Sequence, residues 1–302
     1  FSDRSAATTA LLVDQIDMFN YLGAPPRQFW ARLTDQRDAG TLAVVSKPLF
    51  CTAGEGSFNL QHPVIGDQKV RRAMNLAADR TEYGEVRYDG DFSGATSVPV
   101  NTPFARDSED IWNTLPGWGT GANKEAEVEQ AKQLLADAGY PDGFEFELMT
   151  RSTAFSTGGT EALQRNFAKA GLTGNINNAA DALNRQRALD YAFFNYRQCI
   201  AIGDPDEIMA NYYVTGGARN DIGLSSPEID SLFVEMSSES DFAKRKQLYQ
   251  ELEDIIIAND YKMFLPDGIS RYWRDSKIHG FDPGLTLYRI STNRGETWWR
   301  ES

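Results

Sequence analysis

The chain has 302 residues, with 43 Asp and Glu against 30 Lys and Arg, a formal net charge of −13 and a pI of about 4.7. Phosphate backbones and anionic lipid surfaces are bound through Lys and Arg, so this balance disfavours a nucleic-acid partner and attachment to an acidic membrane surface. Hydrophobic residues at 41% and aromatics at 12% suffice for the core of one large or two ordinary domains, and no apolar run approaches the ~20 residues of a membrane helix.

The opening, FSDRSAATTALLVDQ, lacks the basic start and apolar block of a secretory leader. The mature form of an exported protein has the same look, so the compartment stays open. Residues 8–18, TALLVDQIDMF, read as a helix running into a short strand. Residues 25–39 begin at Pro25-Pro26 and carry Phe29, Trp30 and Leu33, which suits a helix after a proline start. Residues 41–50, TLAVVSKPLF, read as a strand with Pro48 at an edge or bend. In residues 66–80, GDQKVRRAMNLAADR, Asp67 is an N-cap and Val70, Ala73, Met74 and Ala77 recur at i, i+3, i+4 and i+7. Arg71, Arg72, Asp79 and Arg80 sit off that face, as in an amphipathic surface helix.

Residues 88–123 are rich in turn formers, among them Pro99, Pro103, Pro116, Gly117, Gly119 and Gly121. Such a stretch packs over a surface or borders a site. A helix over 125–138 aligns Val128, Ala131, Leu135 and Ala138, with Gly139 at C′ and Pro141 blocking continuation. Phe144, Phe146 and Leu148 alternate as in a half-buried strand. Leu163, Phe167 and Ala170 share a helical face, and 189–196, LDYAFFNY, is an aromatic-rich strand. Helices follow at 227–236 and 241–258, the second with a stripe of Leu248, Leu252, Ile255 and Ile256. Strands alternating with helices predict an α/β fold.

Cys51 and Cys199 are far apart, no Cys-x-x-Cys pair exists, and the histidines are His62 and His279. A structural zinc site takes four Cys or His ligands, so no metal or cofactor is expected. Taken alone, the cysteines read as small buried apolar residues. No Gly-x-Ser-x-Gly elbow, P-loop, Gly-x-Gly-x-x-Gly or His-Glu-x-x-His is present. Paired carboxylates leave a glycosidase-like enzyme as the alternative from a different class, but catalysis is not expected.

Several segments, in order, resemble the family 5 extracellular solute-binding proteins, receptors that feed peptide, nickel, opine and sugar ABC transporters. AATTALLVDQIDM at 6–18 is similar to that family's segment ending in Gly-Glu-Ile-Asp, with Asp14-Gln15 in place of Gly-Glu. Phe58-Asn59 and HPVIGD precede residues 67–80, which resemble "D-x-x-V-R-x-A-x-x-x-A-x-D-R". EAEVEQAKQLLADAGYPDGFEFELM, IGDPDEIM, SSPEIDSLF, RKQLYQELEDIIIAN and MFLPDG then match further landmarks, reaching residue 266.

The resemblance implies a type II, cluster C periplasmic-binding-protein-like lobe, with a mixed sheet flanked by helices. Residues 1–266 would form lobe II with a hinge at each end, and 267–302 would return to lobe I. Most of lobe I would be absent, the chain beginning near the first hinge crossing as a fragment or a product of cleavage there. Phe281, Leu287, Tyr288, Trp298 and Trp299 would pack against the missing part. Such receptors close over a ligand by hinge motion. Ligand contacts would come from Phe50 and Thr52, from Tyr196, Arg197, Gln198 and Cys199, and from Ala201 to Asp204. Some oligopeptide-binding members carry cysteines at two corresponding positions, which implies a Cys51–Cys199 disulfide and an exported protein. It would close a loop of ~150 residues, worth roughly 5 kcal/mol at most.

One departure concerns the ligand. Peptide-binding members use an Asp, three residues before the Asp of "D-P", to hold the ligand's amino group; here that residue is Ala201. The Trp usually found three residues earlier is Gln198. A methyl cannot replace a charge-assisted hydrogen bond, so a free-amino-terminus peptide is disfavoured. Arg197 and Gln198 suit a sugar, an opine or a carboxylate instead, with an oligopeptide or dipeptide receptor as the alternative. Asp204-Pro205 also fits a plain turn. The implied partners are a small solute and ABC permease subunits, or a sensor protein. The implied location is the periplasm, or the cell exterior on a lipid tether.

Overall fold

Two antiparallel strand pairs, laid end to end, organise the fold of this computed structural model. It describes residues 3–19, 25–48, 54–98, 100, 102–151, 154–197, 203–281 and 298–301. Helix α1 (Arg4–Leu12), capped by Asp3, leads to β1 (Met18–Phe19). A 3₁₀ turn precedes α2 (Trp30–Asp38), and β2 (Leu42–Pro48) follows. Then come β3 (Gly54–Phe58), α3 (Gln68–Ala77), α4 (Arg80–Tyr88), β4 (Phe92–Ser93), α5 (Ser108–Thr114) and α6 (Ala122–Asp137). The middle holds β5 (Glu145–Arg151), α7 (Ala154–Lys169), β6 (Thr173–Ala179), α8 (Ala182–Arg187) and β7 (Phe193–Arg197). Helix α9 (Pro205–Ile208) runs into a π-helical turn, Met209–Tyr213. Helices α10 (Pro227–Ser238) and α11 (Phe242–Ala258) precede β8 (Lys262–Leu265), β9 (Asp267–Asp275), β10 (Ile278–His279) and β11 (Trp299–Arg300).

In the first sheet β9 lies between β1 and β2, and β4 pairs with its first residues. The second sheet has five strands in the order β6-β5-β7-β3-β8. β5 is parallel to β6 and β7, whereas β3 is antiparallel to β7 and β8, so the α/β lobe has the mixed sheet expected. The chain passes between the sheets twice, leaving the first at Pro48 to enter the second at Gly54, and returning through Pro266. On both sides of these passages the strands are partners: Pro48 opposes Ile269 and Gly54 opposes Leu265. Strands β1 and β2 therefore hydrogen-bond in the sheet of 267–275, not in the five-stranded sheet.

Helices α3, α6 and α7 bury Val70, Met74, Ala131, Leu135, Leu163 and Phe167 against Phe146, Leu148 and Phe193 of the five-stranded sheet. Each fully buried Leu or Phe contributes about 1.5–3 kcal/mol. Gly56 is part of this packing: a Cβ there would lie 2.2 Å from the Phe193 ring, so only glycine lets the ring cross β3. Helices α10 and α11, the π turn and Trp118 form a second core with Phe264. Leu11, Leu12, Phe19, Leu33 and Trp273 form a third, beneath the first sheet. Phe281 packs on Tyr272 and Trp298, and Trp299 stacks on His279, so these tail aromatics have partners within the chain. Leu287 and Tyr288 lie outside the described residues.

Residues 66–80 depart from the single surface helix predicted. The helix breaks at Ala78, because Asp79 accepts from the N–H groups of Thr81 and Glu82 and so caps α4. Arg71 and Arg80 are buried, only 5% and 2% exposed. Arg71 donates to the carbonyls of Ile65, Gly66, Asn259 and Asp260. Arg80 donates to those of Asn75, Ala78, Gly117 and Phe264. Turn and helix-end carbonyls need donors when buried, and one guanidinium carries five. Burial holds Arg71 below its usual pKa and lowers Arg80 to about 10. The turn-rich stretch 88–123 also contains α5, which begins where Asp107 accepts from Glu109 N–H.

Candidate functional site

The edge of the five-stranded sheet nearest the two passages is formed by Gly54, Leu265, Arg197 and Arg151. Of the sequence-predicted site residues, Phe50, Cys51, Thr52, Gln198, Cys199 and Ala201 lie outside the described residues, and with them the disulfide. Arg197 ends β7 with its backbone opposite Gly54, and Tyr196 stands opposite Glu55. Tyr196 is half-buried, stacked parallel on Phe194 with ring centroids 5.2 Å apart. Asp204 is taken up structurally. It caps α9 by accepting from Asp206 N–H at 2.9 Å, and Arg245 grips both its oxygens at 2.6 and 3.0 Å. Burial raises its pKa, but Arg245 and the cap outweigh that and hold it below the usual range.

Two arginines that the sequence did not single out stand on this side, one against Tyr196 and one against Tyr212. The Arg151 guanidinium lies 5.6 Å from the Tyr196 ring centroid. Arg219 donates to the Tyr212 hydroxyl at 2.7 Å and stands 5.8 Å from that ring. The hydrogen bond to Tyr212 raises the Arg219 pKa, with the Tyr212, Glu207 and Tyr196 side chains adding to the effect. Burial pushes the Tyr212 phenol up to about 12, with Glu55 and Asp221 contributing.

Beneath this edge is a buried ionic cluster. Side chains alternate along a strand, so the register sets Glu55, Ser57, Lys262, Phe194 and Tyr196 on one face. Lys262 and Glu55 side chains are both 0% exposed and 3.4 Å apart, and Asp221 lies 3.7 Å from the ammonium. Lys262 also donates to Ser57 Oγ at 2.8 Å. A charge leaves water at a cost of several kcal/mol, so such a group persists only with partners. Burial holds the Tyr213 phenol protonated well above its usual range, with Glu55 adding to it. In sequence the signal for this cluster is slight: a lone Glu in GEGSF and a lone Lys in YKMFL.

Ser57 beside Lys262 has the pairing of an activated nucleophile, but both are buried and Lys262 is committed to two carboxylates. His62 accepts from the Val64 and Ile65 N–H groups and shapes a turn. Among the described residues no group of three His, Cys, Asp or Glu side chains stands ready for a metal ion, and no helix is long and apolar enough to cross a membrane. The edge offers a phenol and fixed guanidiniums, which are hydrogen-bond donors and a flat ring for a bound polar molecule.

A probable di/tripeptide-binding protein 5 of Pseudomonas aeruginosa (strain UCBPP-PA14) is 28% identical over 242 residues, 76% of this chain and 42% of that protein. The glutathione-binding protein GsiB of Salmonella choleraesuis (strain SC-B67) is 26% identical over 216 residues, 66% of this chain and 39% of its own length. The chain thus spans less than half the length of these relatives. HbpA2 from Haemophilus parasuis superimposes with a TM-score of 0.77 at 20% identity, over 100% of this chain and 57% of that one. The sequence model of bacterial extracellular solute-binding proteins, family 5 Middle, matches residues 1–220 of the 302, and the chain belongs to that family.

Proposed function

We propose that this chain is part of the substrate-binding component of an ABC importer, a receptor and not an enzyme. It captures a small solute between two lobes and delivers it to a membrane permease. The resemblance puts residues 1–266 in lobe II. The pairing of β1 and β2 with β9 instead supports a first lobe of 4–48 with 267–281 and a second of 54–265, with the hinge where the chain leaves Pro48, enters at Gly54 and returns at Pro266. The observation that carries this reading is the position of Tyr196 and Arg151 at the sheet edge beside both passages. A solute held there touches both lobes and favours their closure. Cys51 and Cys199 flank the same edge in sequence, and the proposed disulfide between them suits a periplasmic or tethered extracellular location. Mass spectrometry of unreduced protein tests it; two free thiols refute it.

The solute reading follows from Ala201, which cannot hold an amino terminus; sugars, opines and carboxylates fit better. The name of the Pseudomonas relative favours the second reading, a peptide receptor. A thermal-shift screen of the full-length protein with peptides, sugars, opines and nickel decides between them. Saturable stabilisation without turnover supports a receptor. Strongest stabilisation by free-amino-terminus peptides overturns the Ala201 argument.

A further inference from the structure

Residues 214–226 are fixed to an unusual degree for a connection between helices. Asn220 donates to the carbonyls of Val214 and Leu224 at 3.0 and 2.6 Å and accepts from Leu224 N–H at 2.9 Å. Gly217 N–H bonds back to Val214, and Arg219 N–H to the Asn211 carbonyl at 2.9 Å. The segment therefore has little freedom left to lose. What it presents is Arg219. No carboxylate lies within 4 Å of that guanidinium among the described residues; its side-chain hydrogen bond goes to the neutral Tyr212 hydroxyl, at 2.7 Å. Tyr212 is itself held by the π turn in the second core. By contrast Arg185, Arg245 and Arg271 in the same chain each take a bidentate carboxylate.

A guanidinium aimed by a rigid backbone and a buried phenol, with no further hydrogen-bond partner among the described residues, is preorganised for an oxyanion. The buried charges behind it, Glu55, Lys262 and Asp221, are engaged with one another, so among the described residues the accessible cations on that side are Arg219 and Arg151. Glu207, on α9, is the carboxylate whose field Arg219 also feels. We infer that Arg219 is the anion-receiving residue of this cleft, so that the captured solute bears a carboxylate or phosphate that docks there with the Tyr196 ring as an adjoining wall. This rests on the solute-capture reading and narrows it.

The test uses the full-length protein and matched probes: Ala-Ala against its C-terminal amide, and glucose 6-phosphate against glucose, by calorimetric titration and thermal shift. The expected result is tighter binding of at least one acidic member than its neutral partner, with Arg219→Gln weakening the acidic member by about tenfold to a hundredfold and leaving the neutral one unchanged. Arg219→Lys should restore part of the affinity, because it keeps charge without the fork. Tyr212→Phe should give a smaller loss than Arg219→Gln. The Arg219 side chain lies at the surface, so an unchanged melting temperature without ligand confirms that each Arg219 variant folds. Equal binding of acidic and neutral partners, or an Arg219→Gln variant that binds the acidic probe normally, overturns the inference alone. Failure of every probe, and of the wider screen, to bind the wild type overturns solute capture and this inference together.

Discussion

Lys124 and Arg80 donate to the same carbonyl oxygen, that of Gly117, at 2.7 and 2.5 Å. Two cations share one buried acceptor, with Glu127 2.6 Å from the Lys124 ammonium as the local counter-charge. Lys124 also donates to Leu76 and Ala78, so it closes the C-terminal end of α3. Burial, and then Arg80, lower its pKa to about 8.

The charged form of Lys124 is therefore disfavoured in the folded state. Between pH 8 and about 10 the unfolded chain binds the extra proton, so stability should rise with pH there. The rise is at most about 3 kcal/mol from this group. The window closes where Arg80 and the buried tyrosines begin to titrate. Urea denaturation at pH 7.5 and 9.5 measures it, and Lys124→Met should be less stable at both and show a flatter dependence.

Asp260 should act in the acid range. Burial raises its pKa to about 6, despite Arg72 at 2.8 Å and the Asn75 amide at 2.9 Å. Its contribution is fully present below pH 4 and is lost as pH rises through 6, by about 3 kcal/mol at most. Asp260→Asn keeps a residue suited to the left-handed backbone, φ 50°, at that position. The wild type should lose its advantage over this variant between pH 4 and 6 in parallel denaturation curves.

Removing Lys262 leaves Glu55 and Asp221 without their buried cation. Lys262→Met should cost about 3–5 kcal/mol. Adding Glu55→Gln should recover part of that loss, and a double-mutant cycle by chemical denaturation measures the coupling. Strict additivity would show that the pair does not interact.

Arg71→Lys tests the role assigned to the buried guanidinium. One ammonium has three donors and no fork, so it cannot serve the four carbonyls of Ile65, Gly66, Asn259 and Asp260. Loss of about 2–3 kcal/mol is expected, from one or two carbonyls left unpaired. Arg72→Lys, at a partly exposed position, should cost much less.

The sequence carried the parts of the fold whose cause is local. Asp67 caps α3 as its position predicts, and the spacing of Val70, Ala73, Met74 and Ala77 marks the buried face. Local pattern counts Arg71 and Arg80 as polar and therefore outward. Their burial is decided by carbonyls at Asp260 and Phe264, nearly two hundred positions away in the chain. Asp79 counts with the polar residues off the face of one helix, and the turn formers of 88–123 hide α5, so the caps at Asp79 and Asp107 emerge only in the structure. Tyr196 was found through family resemblance. Arg219 was not, because nothing within a few residues of it tells that Tyr212 holds its side chain.

The paired strands on either side of the passages give the chain the form of an insertion. Residues 54–265 leave β2 and return to β9 at neighbouring points, as a guest module does within a host. β2 finds its partner only after more than two hundred intervening residues, and a folded guest that holds its own ends together shortens the loop that this closure must make. The same joint also makes the smaller sheet depend on the larger body for its register.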